Sequence, residues 1–141
     1  MNKKIKNAES IVYNNIKFRS KLECRIYKSL IGLGVPIFYE KETFNLLNSF
    51  YPTVFFQSSF ISKNEGKVRS ITYTPDFTFY FKNKYIIIEC KGYQNDTYPL
   101  KRKMFRALLE TLPNKDSIMF FEIKNYKECL TLIQILNGLT T

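Results

Sequence analysis

Apolar residues recur at helical spacing in three stretches of the chain, and the first stretch has a clear start and end. Ser20 is a good N-cap residue, and Glu23 stands three positions later, as in a capping box. Gly32 and Gly34 favour termination of a helix. The apolar stripe between these signals consists of Leu22, Ile26, Leu30 and Leu33. The pattern predicts a first amphipathic helix.

Two further amphipathic helices are predicted in the second half of the chain. One begins at Asp96–Pro99, because proline suits the first turn of a helix. Its apolar stripe consists of Leu100, Met104, Ala107 and Leu108. Its other face carries Lys101, Arg102, Lys103 and Arg106. The last helix begins at Asn125 with Glu128 completing the cap, and its inward residues are Cys129, Leu132, Ile133 and Leu136.

Between the helices lie runs rich in β-branched and aromatic residues, which predict strands. These runs are Val35–Phe44, Val54–Ile61, Val68–Tyr73, Phe77–Phe81, Tyr85–Cys90 and Ser117–Ile123. The run at Val68–Tyr73 leads straight into Phe77–Phe81, so these two runs count as one strand in the order of elements. The run Ser117–Ile123 is apolar enough for a buried strand.

Counted from the first helix, the elements follow the order α-β-β-β-β-α-β-α, which predicts an α/β fold. A mixed central β-sheet is flanked by helices, because hairpin strands pair antiparallel while the strand after the basic helix can join in parallel through a crossover. Residues 1–141 make a single domain. Residues 1–17 are basic and weakly patterned, so a mobile or swapped arm and a short strand at Ser10–Tyr13 are both open.

The hairpin in the middle of the chain gathers charged side chains on one face. Glu89 and Lys91 point to the same face of their strand and Cys90 to the opposite face. A two-residue turn at Asn83–Lys84, or a four-residue turn around it, would place Asp76 opposite Lys91. A three-residue turn would put Asp76 on the wrong face.

Two carboxylates side by side on a sheet repel each other unless a divalent cation lies between them, so Asp76 and Glu89 invite Mg²⁺. A lysine beside such a cation can orient or deprotonate a water molecule for attack on a phosphodiester. The alternative is an aspartate that caps a turn after Pro75 and an ordinary surface pair of Glu89 and Lys91.

The composition favours a polyanionic partner. The net charge is +10, which is typical of nucleic-acid-binding proteins, although a basic surface can also be merely solvated. The absence of histidine excludes HNH nucleases, histidine-based phosphodiesterases and Ser-His triads. Cys24, Cys90 and Cys129 are scattered, which indicates neither a zinc site nor a disulfide framework and fits a reducing compartment.

The segment MNKKIKNAES lacks the apolar core of a signal peptide, and no apolar run approaches the length of a membrane span. We therefore expect no membrane partner and a cytoplasmic location in a bacterium or a virus-infected host cell, with an organelle as a further possibility.

Residues 74–92, TPDFTFYFKNKYIIIECKG, resemble the PD-(D/E)xK nuclease superfamily. The arrangement from Phe18 to Phe121 is similar to that of phage endonuclease I, which resolves Holliday junctions, and of related small phage nucleases. The motifs that carry the similarity are FRSKLE at 18–23, YTPDF at 73–77 and ECKG at 89–92, followed by a basic helix.

The resemblance implies a restriction-endonuclease-like core and a Mg²⁺-dependent endonuclease, with Mn²⁺ as a substitute. It implies metal binding by Asp76, Glu89, the backbone carbonyl of Cys90 and Glu23. It further implies that Lys91 orients the attacking water, so the catalytic set is Glu23, Asp76, Glu89 and Lys91. Glu23 has a rival role as the capping-box glutamate. Glu40 is a weaker candidate, because a glutamate on an alternating strand is usually solvated.

The resemblance also implies DNA as partner, branched DNA as substrate and a homodimer or higher homo-oligomer. Backbone phosphates would be neutralised by Lys101, Arg102, Lys103 and Arg106, unless these residues are only the polar face of a helix. Tyr93, Gln94 and Tyr98 are further candidates for DNA contact. The chain departs from the family in an extra β segment at 45–72 and in having no long basic tail at its end.

Two other functions stay open. A homing or restriction endonuclease would read bases directly, and the 45–72 ribbon could supply the contacts through Gln57, Ser58, Lys63, Asn64 and Arg69. The second is a non-catalytic DNA-binding or assembly module with a nuclease fold, although such a module has no physical need for three charges that converge on a sheet.

Overall fold

The computed structural model describes residues 9–61, 66–91 and 95–141. The helices in these residues are α1 (Lys21–Leu30), α2 (Tyr98–Glu110) and α3 (Tyr126–Asn137). The strands are β1 (Ile11–Tyr13), β2 (Ile16–Phe18), β3 (Phe38–Tyr39), β4 (Phe44–Leu47), β5 (Ile71–Tyr73), β6 (Phe77–Phe81), β7 (Lys84–Cys90) and β8 (Ile118–Ile123). Within these residues no helix has the length and apolar character needed to cross a bilayer.

The central sheet is mixed, as the sequence predicts. Its strand order is β3-β6-β7-β8, and β7 and β8 run parallel while the other neighbours are antiparallel. Helix α2 connects the two parallel strands as a crossover. Strands β4 and β5 form a separate antiparallel ribbon, and β1 and β2 form a hairpin. The fold is therefore of the mixed α/β type.

Helices cover both faces of the sheet. On one face α1 and α3 pack on side chains such as Phe77, Phe79 and Ile88. On the other face α2 and the β4–β5 ribbon pack around Ile87 and Phe105. Because strand side chains alternate, strands β6 and β7 supply apolar residues to both cores. Glu89 meets Tyr73 on the face that α2 covers, and Asp76 and Glu89 line one cleft at this end of the sheet.

The ends of α1 and α3 agree with the sequence signals. The Ser20 hydroxyl accepts a hydrogen bond from the Glu23 backbone N–H at 3.2 Å, and the Asn125 side chain accepts one from Glu128 at 2.9 Å. A short 3-10 turn follows α1 and ends at Gly34, whose φ of 79° is readily adopted only by glycine. The predicted inward residues of α1 and α3 pack into the core.

Several predicted strands differ in the structure. The run 35–44 is divided into β3 and β4, because Glu40 between them has a φ of 48°, which is incompatible with a continuous strand. Residues 54–61, all inside the described ranges, form no regular strand. Within residues 9–17, Ile11–Tyr13 is a strand that pairs with Ile16–Phe18 through a turn at Asn14 and Asn15. The first eight residues lie outside the described ranges.

The predicted apolar stripe of α2 was wrong in part. Leu100 and Ala107 are exposed, while Tyr98 and Phe105 are buried. These two aromatic residues lie seven positions apart, which is two helical turns, and their large rings fill the space above Ile87. The helix is therefore rotated relative to the aliphatic pattern.

The register of the central hairpin also differs from the prediction. Lys82 and Asn83 form the two-residue turn, with φ angles of 48° and 64° as in a type I′ turn. The last pair of the ladder is Phe77 with Ile88, so one further step places Asp76 opposite Glu89 rather than opposite Lys91. Because the turn still has an even length, the predicted face is preserved.

Candidate functional site

Asp76 immediately precedes β6 and lies beside the end of β7. Its Oδ2 accepts a hydrogen bond of 2.7 Å from the backbone N–H of Cys90. The next backbone N–H, that of Lys91, donates to the carbonyl of Ile123 on β8 at 2.8 Å. The backbone N–H groups of consecutive strand residues point to opposite sides of the strand. The end of β7 therefore bonds to Asp76 on one side and to β8 on the other.

Glu89 is buried, with 5% of its surface exposed, and its charge is engaged by two side chains. The Tyr73 hydroxyl donates to Oε2 of Glu89 at 2.5 Å. The Lys91 ammonium lies 3.5 Å from Oε1. The same ammonium lies 4.7 Å from the ring centre of Tyr98, a cation–π contact that limits its movement.

Two further carboxylates approach Asp76 from α1 and from the end of β3. One oxygen each of Glu23, Glu40 and Asp76 lies within 4.8 Å of the other two. Such a cluster has the size of a metal-binding group, and oxygen ligands suit a hard cation such as Mg²⁺.

Glu23 caps α1 and also places its carboxylate beside Asp76. Its backbone N–H is capped by Ser20, while its carboxylate accepts hydrogen bonds from the Ser20 hydroxyl at 2.8 Å and from the Tyr39 hydroxyl at 3.2 Å. Only 7% of its surface is exposed. The carboxylate therefore lies against Asp76 without giving up the N-cap.

Glu40 carries a guanidinium partner as well as its place beside Asp76. Arg19 Nε lies 2.8 Å from Glu40 Oε1. The Glu40 backbone N–H donates to the Asp76 carbonyl at 2.8 Å. The positive φ of Glu40 and this bond together bend the chain so that the side chain is not simply solvated, contrary to the sequence expectation.

Burial raises the pKa of two carboxylates of the site, Asp76 and Glu89. Burial, followed by the charges of Glu89 and Glu23, raises the pKa of Asp76 well above its ordinary value. Burial also raises the pKa of Glu89, although the hydrogen bond from Tyr73 and the charge of Lys91 work in the other direction. The site holds the carboxylates of Glu23, Glu40, Asp76 and Glu89. Among the described residues, only Lys91 and Arg19 form ion pairs with them, so a divalent cation would offset the remaining negative charge.

The acidic cluster opens into a cleft of about 480 Å³. Its charged lining is Arg19, Glu40, Asp76, Glu89, Lys91 and Lys101. Its neutral polar lining includes Thr43, Thr72 and Thr74 from the β4–β5 ribbon, and Asn95 and Thr97 ahead of α2. The cleft therefore joins the sheet end, the ribbon and the start of the basic helix.

The four predicted basic residues of α2 do not share one surface. Lys101 lines the cleft, whereas Arg102 and Arg106 line a second groove of about 530 Å³. Arg102 makes two hydrogen bonds to the Glu122 carboxylate, at 2.9 and 3.2 Å. Lys103 is exposed.

Of the residues proposed to contact DNA, Tyr98 is buried with its hydroxyl donating to Glu122 at 2.9 Å. It also lines the cleft, and its DNA contact stays a prediction. Tyr93 and Gln94 lie outside the described residues, so their predicted DNA contact stays a prediction.

Sequence reasoning missed the side chains that support the site from distant elements. Tyr73 and Tyr39 hold carboxylates through their hydroxyls, and Arg19 pairs with Glu40. No spacing rule connects these residues with the acids they contact. Only the position of Tyr73 three residues before Asp76, inside the YTPDF motif, could have drawn attention to it.

No curated protein and no solved structure gives a significant match to this chain. One family model matches residues 3–127. Because that match spans most of the chain, the chain belongs to the family described as protein of unknown function DUF1064.

Proposed function

We propose that this protein is a metal-dependent DNA endonuclease of the PD-(D/E)xK type, built on a restriction-endonuclease-like core. One observation carries the proposal: Asp76, Glu89 and Lys91 meet at the end of two neighbouring strands, inside a cleft that is open to solvent. Three buried or half-buried charges in one place are costly for folding, so a function that needs them is favoured.

The residues present fit a Mg²⁺ ion. The donors would be the carboxylates of Asp76 and Glu23, which lie together with that of Glu40. Glu89 and the backbone carbonyl of Cys90 would complete the set, as the resemblance implies. The Cys90 N–H donates to Asp76, and the carbonyl of a strand residue points to the same side as its N–H, which places this carbonyl on the Asp76 side of β7. When bound, the ion would neutralise the charge on the scissile phosphate and lower the pKa of a bound water.

The chain's own groups orient the reactants. Tyr73 engages one oxygen of Glu89, which leaves Oε1 directed toward the Lys91 ammonium. Lys91, whose ammonium lies over the Tyr98 ring, would orient the attacking water in the cleft. Lys101 on the cleft wall supplies a positive charge for a neighbouring phosphate.

Branched DNA is the substrate implied by the resemblance to junction-resolving enzymes. A sequence-specific cutter would need polar side chains that reach base edges. Gln57, Ser58 and Arg69 are polar residues in the described part of segment 45–72, while Lys63 and Asn64 lie outside the described ranges. Discrete bands from linear duplexes would favour the sequence-specific reading, and selective cleavage of a four-way junction would favour the branched-DNA reading.

The deciding experiment is a cleavage assay on purified protein with a four-way junction, linear duplexes and supercoiled plasmid. Each substrate is incubated with Mg²⁺, with Mn²⁺ and with a chelator. Asp76→Asn should abolish cleavage and leave DNA binding intact or tighter, because it removes a metal ligand and a charge that repels phosphates. Asp116→Asn, at an exposed aspartate before β8, is the matched control and should cut like the parent.

Two outcomes would contradict the proposal. Equal cleavage by Asp76→Asn and the parent protein would exclude Asp76 from the site. Binding of DNA without any nicking in either metal, on every substrate, would instead indicate a non-catalytic module.

A further inference from the structure

Residues 43–62 form the longest run without a charged residue in a chain whose net charge is +10. The run contains strand β4 and the segment that follows it. Its residues 50–61, called the apolar loop below, project several large apolar side chains into solvent. Phe60 is 98% exposed and Phe55 is 87% exposed, and they are accompanied by Phe50, Tyr51, Val54 and Phe56.

The apolar loop has a structured base. The backbone groups of Phe50 exchange hydrogen bonds with Val68 at 3.0 and 2.8 Å. Closer to the sheet, the Phe44 ring packs 5.0 Å from the Phe105 ring of α2. The exposed rings are therefore carried on a ribbon that is anchored to the core.

We propose that the apolar loop is an interaction surface that docks on a second copy of this chain. Six large apolar side chains are exposed within the eleven residues from Phe50 to Phe60, and soluble monomers rarely expose large apolar patches without a partner. Five exposed aromatic side chains, at about 150 Å² each, offer roughly 750 Å² of surface. A specific interface buries about 800 Å² on each partner, so the loop alone supplies nearly the area that a stable dimer needs.

Charge selects a second copy over nucleic acid as the occupant. Phosphate backbones are bound by lysine and arginine, and residues 43–62 contain neither. Two chains of net charge +10 repel each other over most of their surface, and an uncharged run is where they can approach at least cost. The centre of a protein interface is likewise depleted in charge and enriched in aromatic residues.

Contact of this patch with the same patch on a second copy gives a symmetric dimer, in which each loop meets its equivalent. The inference is independent of the proposed nuclease activity, because it rests on the exposed rings and the charge distribution alone. The dimer interface is thereby assigned to the apolar loop.

The test compares oligomeric state across concentration by sedimentation velocity and light scattering. The triple variant Phe55→Ser, Phe56→Ser and Phe60→Ser removes apolar area without adding charge. The matched control is Tyr80→Ser, Leu100→Ser and Leu130→Ser, which removes exposed apolar side chains elsewhere. The parent and the control should dimerise alike, and the loop variant should raise the dissociation constant of the dimer at least about a hundredfold. Unchanged circular dichroism would show that the loop variant is folded.

Two results would overturn the inference. In the first, the parent protein stays monomeric at the highest soluble concentration; weaker binding of a labelled four-way junction by the loop variant would then assign the exposed rings to DNA. In the second, the loop variant dimerises as well as the parent.

Discussion

The backbone N–H of Cys90 donates to the carboxylate of Asp76 at 2.7 Å, and this bond joins the start of β6 to the end of β7. It continues the hairpin by one step beyond the last regular pair, with a side chain in place of a backbone carbonyl. The orientation of Asp76 is thus fixed by the backbone of the strand that carries Glu89. The two acids are held side by side before any ion or substrate is present.

That arrangement predicts an unusual dependence of stability on pH for the metal-free protein. Burial and the neighbouring carboxylates raise the pKa of Asp76 in the folded state, so the folded protein binds this proton more tightly than the unfolded chain. The free energy of unfolding should therefore fall as pH rises from the ordinary carboxyl pKa through the raised one. Thermal melts between mildly acidic and mildly alkaline pH, in chelator, measure this.

Asp76→Asn provides the control for the pH effect. The variant should melt several degrees above the parent at neutral pH in chelator and show a flatter pH profile, because it lacks the repelling charge. Added Mg²⁺ should raise the melting temperature of the parent and have little effect on the variant. A parent protein that is most stable at alkaline pH in chelator would contradict the assignment.

Glu23 separates helix capping from participation in the metal site. Glu23→Gln keeps a side chain that can accept from the hydroxyls of Ser20 and Tyr39, so the melting temperature should hardly change. The loss of a formal charge beside Asp76 should lower metal-dependent cleavage by orders of magnitude. Cleavage rates and melting curves of the same preparations give the answer.

The control for this prediction is Glu128→Gln, because Glu128 holds the equivalent N3 position of α3, away from the cleft. It should cut like the parent. If Glu23→Gln also cuts like the parent, Glu23 is a helix cap only, and the catalytic set shrinks to Asp76, Glu89 and Lys91.

The sequence predicts the shared face of Asp76 and Glu89 but not their direct pairing. The alternation of side chains along a strand and a turn with an even number of residues determine which face of the sheet both side chains occupy. The exact register depends on which two residues form the turn, and both must adopt a positive φ. Asn83 does so readily, but its partner could be either neighbouring lysine, and the side chains of Lys82 and Lys84 do not distinguish the two turns.

The other parts of the site depend on tertiary contacts that carry no local signal. Glu40 reaches Asp76 because a positive φ interrupts the predicted strand, and nothing in the residue type requires that angle. The rotation of α2 follows from the size of Tyr98 and Phe105, whereas the aliphatic pattern pointed to Leu100. That rotation places Lys101 in the cleft and removes Arg102 from it.

The unequal positions of the basic residues predict unequal effects on DNA binding. Lys101→Ala should reduce the slope of log K against log salt by about one unit, since Lys101 lines the cleft and is placed to neutralise one phosphate. Arg102→Ala should change the slope less, because its guanidinium is bound to Glu122. Fluorescence anisotropy with a labelled duplex across a salt series measures both. Equal slopes for Lys101→Ala and the parent would exclude Lys101 from the interface.

Tyr73 should act as a positioning residue for Glu89. Tyr73→Phe keeps the ring that packs 4.7 Å from Phe105 but removes the hydroxyl that donates to Oε2 of Glu89. Without that bond the pKa of Glu89 rises further and its carboxylate can rotate, so metal binding weakens. We expect the Mg²⁺ concentration for half-maximal cleavage to rise about tenfold or more, with much of the activity recovered at high Mg²⁺.

Tyr80→Phe, at an exposed tyrosine of β6, is the matched control and should leave the Mg²⁺ dependence unchanged. The recovery at high Mg²⁺ is the informative readout, because a merely destabilised protein would lose activity at every Mg²⁺ concentration. If Tyr73→Phe shows the parent's half-maximal concentration, the hydroxyl has no part in holding the ligand. Its hydrogen bond would then serve only to satisfy a buried carboxylate.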